Sequence, residues 1–342
     1  MTTTVLTTQN LAVGYIAPRK PARLIAGDIN AVSQAGEMVC LIGPNGAGKS
    51  TLLRTLAGMQ KPLAGRVLLA GDEIHTLPPS ERAKRLSIVL TERVQAGMLS
   101  AYELAALGRH PYTDWSGKLS EQDEAVVRWA IEAVGAVELA NRPVNELSDG
   151  ERQKIMIARA LAQEPALIIL DEPTAFLDLP HRVEVMRLLR RLARETGRAV
   201  LLSTHDLDLA LRLADRLWLM PGDGRLHTGA PEDLVLSGAL GNAFHSTGVM
   251  FDMHSGTFTV QEAYRGNIAL SGDGMAGEWA RRALERAGYA IATNGSPALA
   301  RIEAIDNTPP CWRLIQGNNA QEYTTLGDLL VAMHTIPLSG SQ

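Results

Sequence analysis

Residues 43–51 read Gly43-Pro44-Asn45-Gly46-Ala47-Gly48-Lys49-Ser50-Thr51 and match the pattern G-x-x-x-x-G-K-[ST] at every fixed position. This stretch constrains the fold more than any other, because the pattern works only between a strand and a helix. Its glycines let the backbone curl so that successive N–H groups point inward at phosphate oxygens. Lys49 reaches the β- and γ-oxygens, and the Ser50 hydroxyl can sit on Mg²⁺. The flanks have the right form. Met38-Val39-Cys40-Leu41-Ile42 is an apolar run that reads as a buried strand, and Leu52, Leu53 and Leu56 mark a helix whose N-terminus completes the anion site. Gly43 to Thr51 are therefore expected to hold a nucleoside triphosphate.

A second site lies further along. Leu167-Ile168-Ile169-Leu170 is an apolar strand that ends in Asp171-Glu172. Asp171 is the expected Mg²⁺ carboxylate, and Glu172 stands where a base can polarise an attacking water. About 20 residues earlier, Leu147-Ser148-Asp149-Gly150-Glu151 precedes a helical run from Arg152 to Gln163. Ser148 and Glu151 have capping-box spacing, so the serine is expected to cap a new helix.

In these motifs the chain resembles an ABC-type ATPase, over roughly residues 1–245. The resemblance implies an α/β fold: an ABC-type P-loop cassette with a RecA-like core, a β-subdomain and a helical subdomain near 95–163. It implies ATP and Mg²⁺ as ligands, and catalytic roles for Lys49, Glu172 and His205, the last in Leu202-Ser203-Thr204-His205-Asp206. Tyr15, in Leu11-Ala12-Val13-Gly14-Tyr15, sits where the family stacks an aromatic ring on adenine, and Asp178 closes the D-loop Ala175-Phe176-Leu177-Asp178. Residues 147–151 occupy the signature position, whose serine and glycine contact the γ-phosphate held by a second copy in a head-to-tail dimer. Ser148 and Gly150 keep that pattern. Asp149 and Glu151 depart from it, placing acid beside a polyanion unless they turn onto their own helix N-terminus.

The strand Leu86-Ser87-Ile88-Val89-Leu90 should end in the family's Q-loop glutamine, but Thr91-Glu92-Arg93 follow and Gln95 lies further on. Thr91 or Glu92 must take that role, and Glu92 has the carboxylate oxygen to do so. The insertion carries Tyr102-Glu103-Leu104 through Gly108-Arg109-His110-Pro111-Tyr112, and Asp178-Leu179-Pro180-His181-Arg182 follows the D-loop. Both resemble segments of importer ATPases for iron-siderophore, haem or cobalamin cargo. That resemblance places Gly108 to Pro111 in the groove where a membrane subunit docks. The alternative reading of the same run is a helix end, Gly-Arg followed by proline.

With 342 residues, net charge −4 and a pI near 6.1, the chain argues against a general nucleic-acid surface. Its two cysteines, Cys40 and Cys311, make no disulfide framework. No apolar run approaches the roughly 18 residues a membrane span needs, and no cationic-then-apolar leader opens the sequence. The expected place is the cytoplasmic face of a membrane, on integral permease subunits that an extracytoplasmic substrate-binding protein serves indirectly. A soluble ABC ATPase of DNA repair or the ribosome, or a regulator, is the competing class. One cassette and an insertion of ordinary length disfavour the soluble enzymes.

Residues 250–342 lie beyond the resemblance and are long enough for a small α/β domain. Strands are expected at 257–261, 267–270, 289–293, 301–305 and 311–316, with helices at 278–287 and 326–334. Gly272-Asp273-Gly274-Met275-Ala276-Gly277 follows a strand and opens a helix, the context of a dinucleotide site. The next strand, however, ends in Thr293-Asn294 with no acid for a ribose, so tight strand–helix packing competes with a bound ligand. Met250, Met253, His254 and Cys311 fit no established metal spacing.

Overall fold

The computed structural model describes residues 3–15, 22–91, 97–115, 117–245, 249–253, 256–260, 264–292, 297–317 and 319–335. Two compact units divide them. One holds Met1–Phe244 and Met253–Thr257, and the other holds His245–Asp252 and Phe258–Gln342.

The first unit is built on a six-stranded sheet in the order His227–Gly229, Arg216–Leu219, Met38–Ile42, Ala199–Ser203, Leu167–Leu170, Leu86–Val89. All pairings are parallel except the edge hairpin that Arg216–Leu219 makes with His227–Gly229. The three central strands are buried along their whole length, which explains their unbroken Val, Ile and Leu runs: a parallel sheet covered on both faces has no polar side. Register sets Cys40, Leu170 and Leu202 side by side. The loop after Ile42, the Asp171-Glu172 pair after Leu170 and Thr204-His205 after Ser203 therefore emerge together at the carboxyl edge, where open α/β sheets bind ligands.

A second, antiparallel sheet is organised around Thr4–Tyr15, which pairs with Arg23–Ile29, Val32–Gln34 and Ala64–Leu69. The single strand expected from Leu24 to Val32 is interrupted. Asp28 adopts φ 50°, and Asn30 donates to the Asp28 carbonyl at 3.1 Å, making a turn before Val32. The helix Lys49–Leu56 lies between the sheets in one core, where Leu52, Leu53 and Leu56 meet Leu6, Leu11, Val39 and Leu41.

The helical region comprises Ala101–Ala106, a 3₁₀ turn Leu107–Tyr112, Glu121–Ala133 and Asp149–Ala162. Its three α-helices each start in a capping box, at Ser100/Glu103, Ser120/Asp123 and Ser148/Glu151. Within the run Gly108 to Pro111, Gly108 and Arg109 are buried. A Cβ on Gly108 would lie 2.2 Å from the Arg159 carbonyl oxygen. Arg109 is buried, donating to Asp123 at 2.8 Å, Glu164 at 2.7 Å and the Ala162 carbonyl at 2.8 Å. Of the pair that follows, His110 is exposed and Pro111 half-buried. Gly108 and Arg109 thus pin the helical region from inside, while His110 stays at its surface.

The second unit carries a sheet in the order Tyr289–Ile291, Gly266–Ser271, Ala300–Ile305, Cys311–Gln316, Asn319–Tyr323, parallel for the first three strands and antiparallel after. Helices Met275–Arg286 and Leu326–His334 supply Ala280, Leu284, Leu329 and Met333 to its own core with Ile268, Ile302 and Trp312. Two strands were not expected from the sequence, Val249–Asp252 and Asn319–Tyr323. The latter is an edge strand whose side chains are nearly all exposed, so it lacks the apolar alternation that marks a strand.

Candidate functional site: a nucleotide cleft at the sheet edge

The loop after Met38–Ile42 needs glycine at two points for steric reasons. Gly43 has φ 152°, and a Cβ there would fall 2.2 Å from the Met220 carbonyl oxygen. Gly48 has φ 103° and caps the helix Lys49–Leu56 with no side-chain hydrogen bond to its first turn. The N–H groups of that turn are thus left to a ligand, and the dipole favours an anion. Lys49 is buried, and its Nζ donates to the carbonyls of Gly43 at 2.8 Å and Pro44 at 3.2 Å. Burial pushes the ammonium below its ordinary range, while Glu172 and Asp171 pull it back.

Opposite the loop, Asp171 and Glu172 are held by Ser203. The Ser203 hydroxyl donates to Asp171 Oδ1 at 2.6 Å and accepts from the Glu172 backbone N–H at 2.9 Å. Ser203 is fully buried, and no motif in the sequence marks it. Glu172 takes φ 49°, a left-handed conformation that costs a non-glycine residue about 1–2 kcal/mol and is typical of functional sites. Its Oε1 lies 2.6 Å from His205 Nε2. Thr91 donates its hydroxyl to the Asp171 carbonyl at 2.7 Å, and Glu92 lies outside the described residues.

One open cleft of about 360 Å³ gathers Tyr15, Asn45, Gly46, Gly48, Lys49, Ser50, Thr51, Glu172 and His205, a size usual for a small-molecule site. Arg23 and Ile25 also line it, two residues with no motif to announce them. Arg23 faces Tyr15 across the strand pair, so only the fold brings it there. The Tyr15 hydroxyl meets Thr51 Oγ1 at 2.5 Å, tying the aromatic ring to the helix that follows the loop.

Ser148, Asp149, Gly150, Glu151 and Asp178 do not line this cleft. Ser148 caps the helix Asp149–Ala162, accepting from the Glu151 N–H at 3.3 Å, while Glu151 accepts from the Ser148 N–H at 2.8 Å and from Arg142 at 2.9 Å. The Ser148 N–H, before Arg142, holds the Glu151 carboxyl below its usual range. Of the two acids that depart from the signature pattern, Glu151 thus faces its own helix N-terminus. Asp178 caps Leu179–Thr196 by accepting from the His181 N–H at 3.2 Å.

The glycine run of the second unit is a packing device. A Cβ on Gly272 would meet the Ala304 carbonyl at 2.2 Å, and one on Gly277 would meet the Gly272 carbonyl at 2.2 Å. The helix N-terminus it opens is taken by Asp306, whose carboxylate accepts from Met275 N and Ala276 N at 3.3 Å each. Among the described residues no group of three or more His, Cys, Asp or Glu could hold a metal, and His254 lies outside them. No described helix is long and apolar enough to cross a membrane.

Residues 27–175 match the ABC transporter family, and residues 265–334 match the iron ABC transporter C-terminal domain. An uncharacterized ABC transporter ATP-binding protein of Methanocaldococcus jannaschii is 48% identical over 231 residues, covering 68% of this chain and 78% of that one. The iron(3+)-hydroxamate import ATP-binding protein FhuC of Bacillus subtilis is 40% identical over 209 residues, covering 61% and 76%. Among solved structures, the dimeric post-hydrolysis state of the ATP-binding cassette MJ0796 bound to ADP and Pi superposes with a TM-score of 0.57 at 27% identity, covering 66% and 98%. The chain belongs to the ABC transporter ATP-binding proteins. It is an ATPase cassette with an α/β C-terminal domain of the kind found in iron transporters.

Proposed function

We propose that this chain is the ATP-hydrolysing subunit of a membrane importer whose cargo is an iron chelate. The observation that carries the chemistry is the meeting of Glu172 and His205, at 2.6 Å, in the cleft that also holds Lys49 and Ser50. Tyr15 stacks on adenine. The loop amides and the first turn of Lys49–Leu56 receive the phosphates, and Lys49 exchanges the carbonyls of Gly43 and Pro44 for β- and γ-oxygens. Ser50 and Asp171 are hard oxygen donors of the kind Mg²⁺ takes alongside substrate phosphates, and the bound ion would offset charge on the transferred group. Ser203 keeps Asp171 aimed. His205 passes from Glu172 to the γ-phosphate when ATP enters, which releases the Glu172 carboxylate to orient and deprotonate the attacking water. The role that the family gives its Q-loop glutamine falls to Thr91 or Glu92.

Ser148 and Gly150 complete the site of a second copy, and Asp178 acts at the same interface. The separation of these residues from the chain's own cleft and the dimeric cassette among its structural relatives support that reading. Integral permease subunits, with an extracytoplasmic binding protein delivering to them, are the remaining partners, and the chain works at the cytoplasmic face. The import role of the Bacillus relative and the match of residues 265–334 to an iron-transporter domain support an iron chelate as the cargo. They equally favour transport over a soluble role. Residues 1–245 form the cassette and 250–342 an accessory domain. The test is Glu172→Gln. It should bind ATP as wild type does, turn over about two to four orders of magnitude more slowly, and accumulate an ATP-bound dimer in size-exclusion chromatography. Equal phosphate release from mutant and wild type would refute the assignment. Co-purification with a polytopic membrane protein tests the transport role.

A further inference from the structure

Gly150 is the second residue of the helix Asp149–Ala162 and is buried, although a glycine inside a helix costs about 1 kcal/mol relative to alanine. The group that crowds a side chain there is an imidazole. A Cβ on Gly150 would lie 3.0 Å from His181 Cδ2, 3.4 Å from its Cγ and 3.7 Å from its Nε2. The ring is held in that place from its other edge. Its Nδ1 is hydrogen-bonded to Asp178 Oδ1, the oxygen that also accepts from the His181 backbone N–H. Asp178 thereby fixes both the start of Leu179–Thr196 and the tilt of a ring that the neighbouring helix start rests on. His181 itself is exposed on its remaining side and does not line the nucleotide cleft.

We propose that His181 is a positioning residue of the ATPase cycle, a spacer that locks the signature segment Ser148–Gly150 to Asp178 so that both reach the partner copy's nucleotide as one rigid unit. The inference rests on the reading that Ser148 and Gly150 act in trans. A ring anchored by a carboxylate sets the distance between two helix starts more narrowly than a flexible side chain would. A shift of about 1 Å in a group that must meet a γ-phosphate is enough to slow turnover severely.

The experiment compares His181→Ala, His181→Asn and His181→Phe in the full-length protein, with Ser148→Arg as the reference for the trans contact. His181→Ala should lower kcat about tenfold, while the Kd for a non-hydrolysable ATP analogue stays as in wild type. The exposed position makes folding of all three variants expected, and thermal melts check it. His181→Asn keeps a side-chain donor for Asp178 but puts no ring against Gly150, and should recover only part of the loss. His181→Phe keeps the ring beside Gly150 without the donor and should recover little. Wild-type kcat in His181→Ala, or equal rates for the Asn and Phe variants, overturns the proposal while an inactive Ser148→Arg leaves the trans reading standing. Undiminished turnover in Ser148→Arg would instead remove that reading and the proposal with it.

Discussion

Ser203→Ala is the perturbation that most directly probes how the two acids are held. The hydroxyl serves two masters: it donates to Asp171 Oδ1 at 2.6 Å and accepts from the Glu172 N–H at 2.9 Å, in a fully buried position. Losing a hydrogen bond to a charged acceptor costs about 1.5–3 kcal/mol, and leaving a buried amide unsatisfied costs about 1–3 kcal/mol. Because Asp171 and Glu172 are themselves half-buried, water recovers part of this, and about 3 kcal/mol is expected in total. In a unit of this size that lowers Tm by about 6–12 °C. The functional effect has a separate origin. Freed from the serine, the Asp171 carboxylate and the left-handed Glu172 backbone relax by a fraction of an ångström, which should reduce kcat about 10- to 100-fold. ATP affinity should stay near wild type, since Ser203 does not line the cleft. Phosphate release at saturating ATP, titration with a non-hydrolysable analogue and a thermal melt separate the three quantities. Ser203→Cys, close in shape with a weaker donor, should fall between. A Ser203→Ala protein with wild-type turnover and melting temperature would refute the reasoning.

Arg109→Ala removes the buried guanidinium between Asp123 and Glu164; Asp123 keeps its capping-box bonds to Ser120 and Glu164 is exposed, so the loss should be that of a charged hydrogen bond, about 1.5–3 kcal/mol in chemical unfolding. Arg109→Lys should rescue little, because an ammonium cannot span Asp123, Glu164 and the Ala162 carbonyl as the guanidinium fork does. The Glu151 carboxyl, lowered in the fold from its ordinary 4.5, contributes stability that is present above that value and lost as pH falls through the folded value. Glu151→Gln should therefore melt below wild type at pH 7, with the gap closing as the buffer is taken below about pH 4.5.

The parts of this protein that were legible in the sequence are those whose chemistry is local. The loop from Gly43 to Thr51, the Asp171-Glu172 pair and the Ser148 cap are each set by neighbours within a few residues, and the fold carries all three at the expected element ends. What was not legible depends on register and on partners far along the chain. Ser203 acts because its strand lies beside Leu167–Leu170, and Arg23 reaches the cleft because its strand pairs with Thr4–Tyr15. The burial of Arg109 was likewise not legible, because Asp123 and Glu164, the acids it pairs with, are 14 and 55 positions away.

Helix N-termini show the same distinction at the level of function. Three helix starts in this chain could offer N–H groups to a phosphate by their sequence alone: those after Gly48, Ser148 and Gly274. At Gly274 the seat is filled from within, since the Asp306 carboxylate accepts from two first-turn amides. At Ser148 it is half filled, because Glu151 takes the Ser148 N–H and pairs with Arg142, leaving the serine hydroxyl and the first turn at Gly150 as the parts able to meet a partner's nucleotide. Of these three, the helix at Gly48 is the one with no capping side chain among the described residues. A glycine-rich turn before a helix is therefore a phosphate site here only where no carboxylate of the chain has already taken the amides. That single criterion separates the nucleotide loop from the motif in the C-terminal domain, which shares its glycines and its strand-to-helix setting.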